Sequence, residues 1–221
     1  MALNESQTSE LQEAIAKYAF PAVYFDFRRQ AEVRIKDMGP VETAIRKMLT
    51  SDANGQVLDG LANVLYWGYA QVGYRDRRVR RFRAEATEDQ LNGFRTMLGC
   101  PDSVGLAAIA AIKLPEFSGV SFVSKILAFL DPVKYCVLDR QLVKLATRPG
   151  NRALHRVSAA GTQIRITAKN RQAYDEWREE CASISTQYFN GRYRAVDIER
   201  GFFQLVQAGR VTLAQELYVA A

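Results

Sequence analysis

Residues 114–140 read L-P-E-F-S-G-V-S-F-V-S-K-I-L-A-F-L-D-P-V-K-Y-C-V-L-D-R, and this stretch decides the fold. Pro115 and Gly119 bracket a tight connection, because both residue types punctuate regular structure. Ser121 is placed to cap the helix that follows, its side-chain oxygen accepting one of the free N–H groups of the first turn. Ile126, Phe129 and Leu130 recur at helical spacing and share one face, with Val123 near its edge. Asp131-Pro132 ends that helix, since proline lacks an N–H and restricts the residue before it. Cys136, Val137 and Leu138 then carry the chain into the interior and deliver Asp139 at its rim.

A turn between two helices presents backbone N–H groups that can grip a DNA phosphate, and a carboxylate fixed nearby can act as a catalytic acid. The same spacing also fits an ordinary helical hairpin whose aspartate caps the next helix.

Upstream of this stretch, residues 1–9 read as a flexible lead-in. Leu11, Ile15 and Tyr18 mark a first helix, which Phe20-Pro21 interrupts. Residues 22–27 fit either an extended segment or a helix start. Gly39-Pro40 breaks the chain, and residues 41–49 form an amphipathic helix with Val41, Ala44, Ile45, Met48 and Leu49 on its apolar side. Residues 57–69 read as a core helix. From Gly73 to Arg83 the chain holds six arginines in eleven residues, with Val79 and Phe82 spaced to anchor the segment. Such a run is either a solvated helix face or a phosphate-binding surface, for which the planar arginine fork is suited. Thr87 and Gln90 form a capping box for the next helix, and residues 103–112 an alanine-rich one.

Beyond Asp139, residues 141–146 continue as a helix, and residues 148–152 form a basic turn. Residues 163–167 alternate as a short strand or extended loop. Tyr174, Trp177, Cys181 and Ile184 mark a long helix closed at Phe189-Asn190-Gly191, and two final helices flank Ala208-Gly209. The expected fold is all-α, a bundle of about nine or ten helices: a single helical domain over residues 10–221, or two small lobes with a cleft between them.

The chain has a net charge of +6, which permits a polyanionic partner without requiring one. No apolar run approaches the roughly 20 residues of a membrane span, and the polar N-terminus shows no secretory pattern. Cys100, Cys136 and Cys181 are widely separated, match no zinc or iron–sulfur spacing, and suit reduced thiols in a cytoplasmic protein. The single histidine, His155, makes no metal site.

At residues 114–140 the chain resembles the helix-hairpin-helix DNA glycosylases, the superfamily that includes endonuclease III and the adenine and 8-oxoguanine glycosylases. Their signature resembles L-P-G-V-G-x-K-x-A, followed about one helix later by an apolar run and an aspartate. Here the matching pieces are Leu114-Pro115, Gly119-Val120-Ser121 and Val137-Leu138-Asp139, within a helix-hairpin-helix region over residues 104–146. The resemblance implies that Asp139 supports cleavage of the glycosylic bond and that Ser118, Gly119 and Ser121 hold a phosphate of duplex DNA. Arg75, Arg77, Arg78, Arg80 and Arg81 would extend that grip. Tyr66, Trp67, Tyr69 and Tyr74 would line the base pocket or supply the wedge that fills the vacated stack.

The chain departs from the pattern in four ways, one of them a slightly shorter interval from the helix to the aspartate. Glu116-Phe117-Ser118 lengthens the approach, Ser121 replaces the second glycine, and Val123 stands where bifunctional members carry a lysine. Lys125 lies two residues later, about 200° round a helix. Three outcomes follow: a monofunctional glycosylase without a lysine nucleophile, a lyase in which Lys125 has taken over that role, or a non-catalytic DNA-binding or protein-interaction domain. The resemblance implies a monomeric protein without cofactor or metal, acting on double-stranded DNA with a damaged or modified base. Base excision repair or defence against phage DNA would be its setting.

Overall fold

A computed structural model describes residues 2–147, 149–161 and 163–221, and every statement of absence below refers to these residues. Arg148, in the expected basic turn, lies outside them. Among the described residues, eleven α-helices surround a main apolar core running from Leu3 to Tyr218, with Ala128, Val137 and Val196 as a small separate cluster. The sheet content is small: β1 (Val23–Asp26) and β2 (Ala31–Arg34) form an antiparallel hairpin pairing Val23 with Arg34 and Asp26 with Ala31. Of residues 22–27, left open between extended and helical, Val23–Asp26 are therefore extended and Phe27 enters the turn.

The chain is helical earlier than expected. Helix α1 (Glu5–Ala16) begins inside the presumed lead-in, because Asn4 and Gln7 form a reciprocal capping box and Leu3 is buried. Helix α2 spans Met38–Leu49 and absorbs Gly39-Pro40, which interrupts nothing. Pro40 falls in the first turn, where a missing N–H costs no helical bond. Helices α3 (Asn54–Gly68), α4 (Arg75–Glu85) and α5 (Glu88–Leu98) follow, the last with the Thr87/Gln90 capping box.

The alanine-rich helix is shorter than expected: α6 covers Leu106–Ala111, behind a 3-10 turn at Pro101–Ser103. Helix α7 (Val120–Leu130) completes the helical hairpin and stops at Asp131-Pro132. Its N-cap is Gly119, with no side-chain cap, so Ser121 lies inside the first turn and does not cap. A one-turn α8 (Arg140–Val143) runs into a 3-10 turn at Lys144–Thr147.

The long α9 (Ala168–Phe189) ends as expected on a left-handed residue, Asn190 (φ 52°), followed by Gly191 (φ 71°). Helices α10 (Ala195–Gln207) and α11 (Val211–Ala220) close the chain around Gly209. Helix α10 packs on α1 as well as on α9, so the two ends of the sequence meet. Glu42 of α2 reinforces that side. It accepts hydrogen bonds from Arg194 (2.6 and 3.3 Å) and pairs with Arg200 (2.6 Å).

Candidate functional site

The run Cys136–Leu138 is pinned from both sides. Helix α9 supplies two donors: Tyr174 Oη to the Cys136 carbonyl and Trp177 Nε1 to the Val137 carbonyl, both at 3.0 Å. From α7, Ser124 Oγ accepts the Leu138 N–H at 3.1 Å. These bonds satisfy backbone groups that burial would otherwise leave costly, and they fix Asp139, the next residue. Its Oδ1 accepts the N–H groups of Gln141 (2.8 Å) and Leu142 (3.3 Å), which makes Asp139 the N-cap of α8. The capping role read as the plain alternative is thus present, and the residue also borders a cavity.

That cavity has a volume of about 40 Å³ and is lined by Asp139, Lys125, Val137, Glu199, Phe203, Trp67, Gly68, Tyr18 and Phe20. It has room for ordered water. Five chain segments build it: α3, α7, the approach to α8, α10, and the link between α1 and β1. Lys125 and Asp139, named separately from the sequence, therefore border the same space. Val123, where bifunctional members carry the lysine, is wholly buried in the apolar core. Lys125, two positions on, is the lysine that borders Asp139's cavity.

The polar groups here are held in unusual states. Burial drives the Lys125 ammonium below its ordinary range, against the opposing pull of Asp139 and Glu199. Its Nζ donates to the Ser121 carbonyl at 3.1 Å and lies 4.9 Å from the centre of the Phe122 ring. Burial also pushes the Glu199 carboxyl up to about 8, assisted by Asp139 and resisted by Arg200 and Lys125. The Tyr18 hydroxyl is raised by the same cause. The Trp67 indole N–H is buried without an acceptor. An amine with a lowered pKa beside carboxyl groups can be a nucleophile toward an electrophilic carbon.

Other residues singled out from the sequence lie elsewhere. The Val120 N–H donates to the Ile164 carbonyl at 2.9 Å, Gly119 bridges to Arg165, and Ser118 Oγ accepts from Gln163 Nε2 at 2.9 Å. Residues 163–165 thus lie across the turn assigned to a phosphate. In the arginine run, Arg75 pairs with Glu32 at 3.1 Å, Arg78 with Glu116 at 2.8 Å, and Arg83 with Asp59. Arg81 reaches Glu85 at 2.9 Å and Glu116 at 3.6 Å, while Arg77 and Arg80 are exposed and form no ion pair. Only Trp67 of the four aromatic candidates lines the cavity. Tyr66 donates to Glu32 at 2.6 Å on another face of α3, and Tyr69 packs on Phe122 with ring centres 4.4 Å apart. Tyr74 is exposed against Tyr69.

Sequence reading did not select Tyr18, Phe20, Glu199 or Phe203. Glu199 carried a usable signal, since it falls between Val196 and Phe203 at the spacing of an apolar helix stripe. Among the described residues no group of His, Cys, Asp and Glu is placed to hold a metal, and no helix is long and apolar enough to cross a membrane. Comparison of the chain with protein-family models, with curated proteins and with solved structures found no match.

Proposed function

We propose that the chain is a DNA glycosylase that flips a damaged or modified base out of a duplex and cleaves its N-glycosidic bond. The convergence of Lys125 and Asp139 on one aromatic-walled cavity carries this reading. Asp139 stabilises the positive charge that develops on the sugar, and Lys125 supplies the attacking amine, which makes the enzyme a lyase as well. Trp67, Phe20 and Phe203 offer apolar faces for a base. The cavity of about 40 Å³ is smaller than a base, so entry requires Tyr18 and Phe20, on the link between α1 and β1, to move aside.

The test is a panel of duplex oligonucleotides carrying oxidised, alkylated, deaminated and hypermodified bases, incubated with protein and borohydride. A covalent adduct lost in Lys125→Ala, with excision lost in Asp139→Asn, supports the reading. Breaks seen only after hot alkali and unaffected by Lys125→Ala would reduce it to a monofunctional glycosylase. No product on any base would overturn it.

A second reading, a helical domain without catalysis, draws on the arginine run. Four of its six arginines are paired with carboxylates, and the Val120 amide is already bonded. It predicts neither adduct nor excision.

A further inference from the structure

We infer that Glu199 is a catalytic acid of this cavity, giving its proton to the base as the base leaves the sugar. The inference rests on the glycosylase reading. It adds a third polar group to the two the sequence offered, and it stands first on placement. Glu199 projects from α10 into the space bordered by Lys125 and Asp139, with 3% of its surface exposed. It forms no ion pair among the described residues.

The charged and titratable groups around Glu199 come from five segments: Arg200 on α10, Asp139 and Cys136 on the approach to α8, Lys125 on α7, Tyr18 after α1 and Cys181 on α9. Arg200 is directed away, to Glu42 at 2.6 Å and Asp197 at 3.6 Å. A buried carboxyl with no cation bonded to it favours the protonated form, and burial raises Glu199 to about 8. At neutral pH it therefore holds a proton. Two carboxyls in unlike settings divide the labour: Asp139 has its oxygen bonded to two backbone N–H groups, while Glu199 keeps a proton to give.

The step balances as follows. The bond from C1′ to the base nitrogen breaks, its electron pair stays with the base, and the Glu199 proton joins that nitrogen. The lone pair of Lys125, in its unprotonated form, makes the new bond to C1′. The proton then shed by the Lys125 nitrogen returns to the Glu199 carboxylate, which closes the proton balance of the excision step.

The test compares wild type, Glu199→Gln, Glu199→Asp and Lys125→Ala on a duplex carrying the excised base and on the same duplex bearing a preformed abasic site. Glu199→Gln is expected to slow single-turnover excision about 100-fold, the low end for loss of a general acid. It should also abolish the fall in rate above pH 8 while leaving borohydride trapping on the abasic duplex intact, because there the base is already gone. Glu199→Asp, which keeps an acid, recovers part of the excision rate. Wild-type excision in Glu199→Gln, parallel loss of excision and trapping, or no recovery with aspartate would each overturn the assignment. A wild type that neither excises nor traps fails at the earlier step and removes the glycosylase reading itself.

Discussion

Gly68, the last residue of α3, lies against the stem of Lys125: a Cβ added there would sit 3.1 Å from Lys125 Cδ and 2.6 Å from Phe122 Cε1. Glycine at this position leaves room for the stem of the lysine and for the Phe122 ring. Gly68→Ala gains helix propensity but crowds both side chains, and overpacking of this kind costs about 1–3 kcal/mol. We expect a lowered melting temperature and a loss of borohydride trapping larger than the loss of duplex binding. Unchanged trapping in a folded variant would show that the lysine does not depend on this contact.

Asp139 caps α8 and borders the cavity, so its two contributions can be separated by choice of substitution. Asparagine caps a helix as well as aspartate, whereas alanine costs about 1 kcal/mol at such a site. Asp139→Asn is expected to melt close to wild type while losing excision, and Asp139→Ala to lose both. Chemical denaturation alongside single-turnover assays decides this. A fully active Asp139→Asn would leave only the cap.

Much of the fold was legible because local signals agreed with tertiary ones. Thr87 with Gln90, Asp131-Pro132 and Asn190-Gly191 each acted where their backbone chemistry predicts. Gly39-Pro40 misled because proline is harmless in a first turn, and the α1 start was hidden in polar residues whose value lies in the Asn4/Gln7 cap. Asp139 and Lys125 were visible as residue types near a helical hairpin. Their shared cavity was not, because its walls come from segments far apart in the sequence, Tyr18 and Phe20 at one end and Glu199 and Phe203 at the other. Glu199 and Tyr18 come from opposite ends of the chain and meet only when α10 packs on α1.

Protonation of Glu199 ties stability to pH. Its folded value of about 8 stands above its ordinary 4.5, so between those limits the folded protein binds more protons than the unfolded chain. Its contribution is full below pH 4.5 and is lost as pH rises through 8, on the order of a few kcal/mol. Lys125, lowered by burial, acts in the opposite sense toward alkaline pH. Unfolding free energies measured from pH 5 to 9 should therefore fall less steeply in Glu199→Gln than in wild type. Identical slopes would mean that the carboxyl ionises freely in the folded protein.

The arginine run divides into residues that hold the fold and residues left exposed. Glu116 occupies a left-handed conformation (φ 66°) that side chains resist, and its buried carboxylate receives Arg78 at 2.8 Å and Arg81 at 3.6 Å. Removing Arg78 leaves that carboxylate with the longer contact alone, so Arg78→Ala is expected to destabilise the protein by about 1–3 kcal/mol. Arg77 and Arg80 are exposed and form no ion pair, so their replacement by alanine should leave the melting temperature near wild type. If this face meets a duplex, the double variant weakens binding across all sequences and flattens the slope of log K against log salt by about 2, roughly one per lost phosphate contact. Titration of wild type and the double variant at several salt concentrations checks this, and equal slopes would place the DNA contact elsewhere on the molecule.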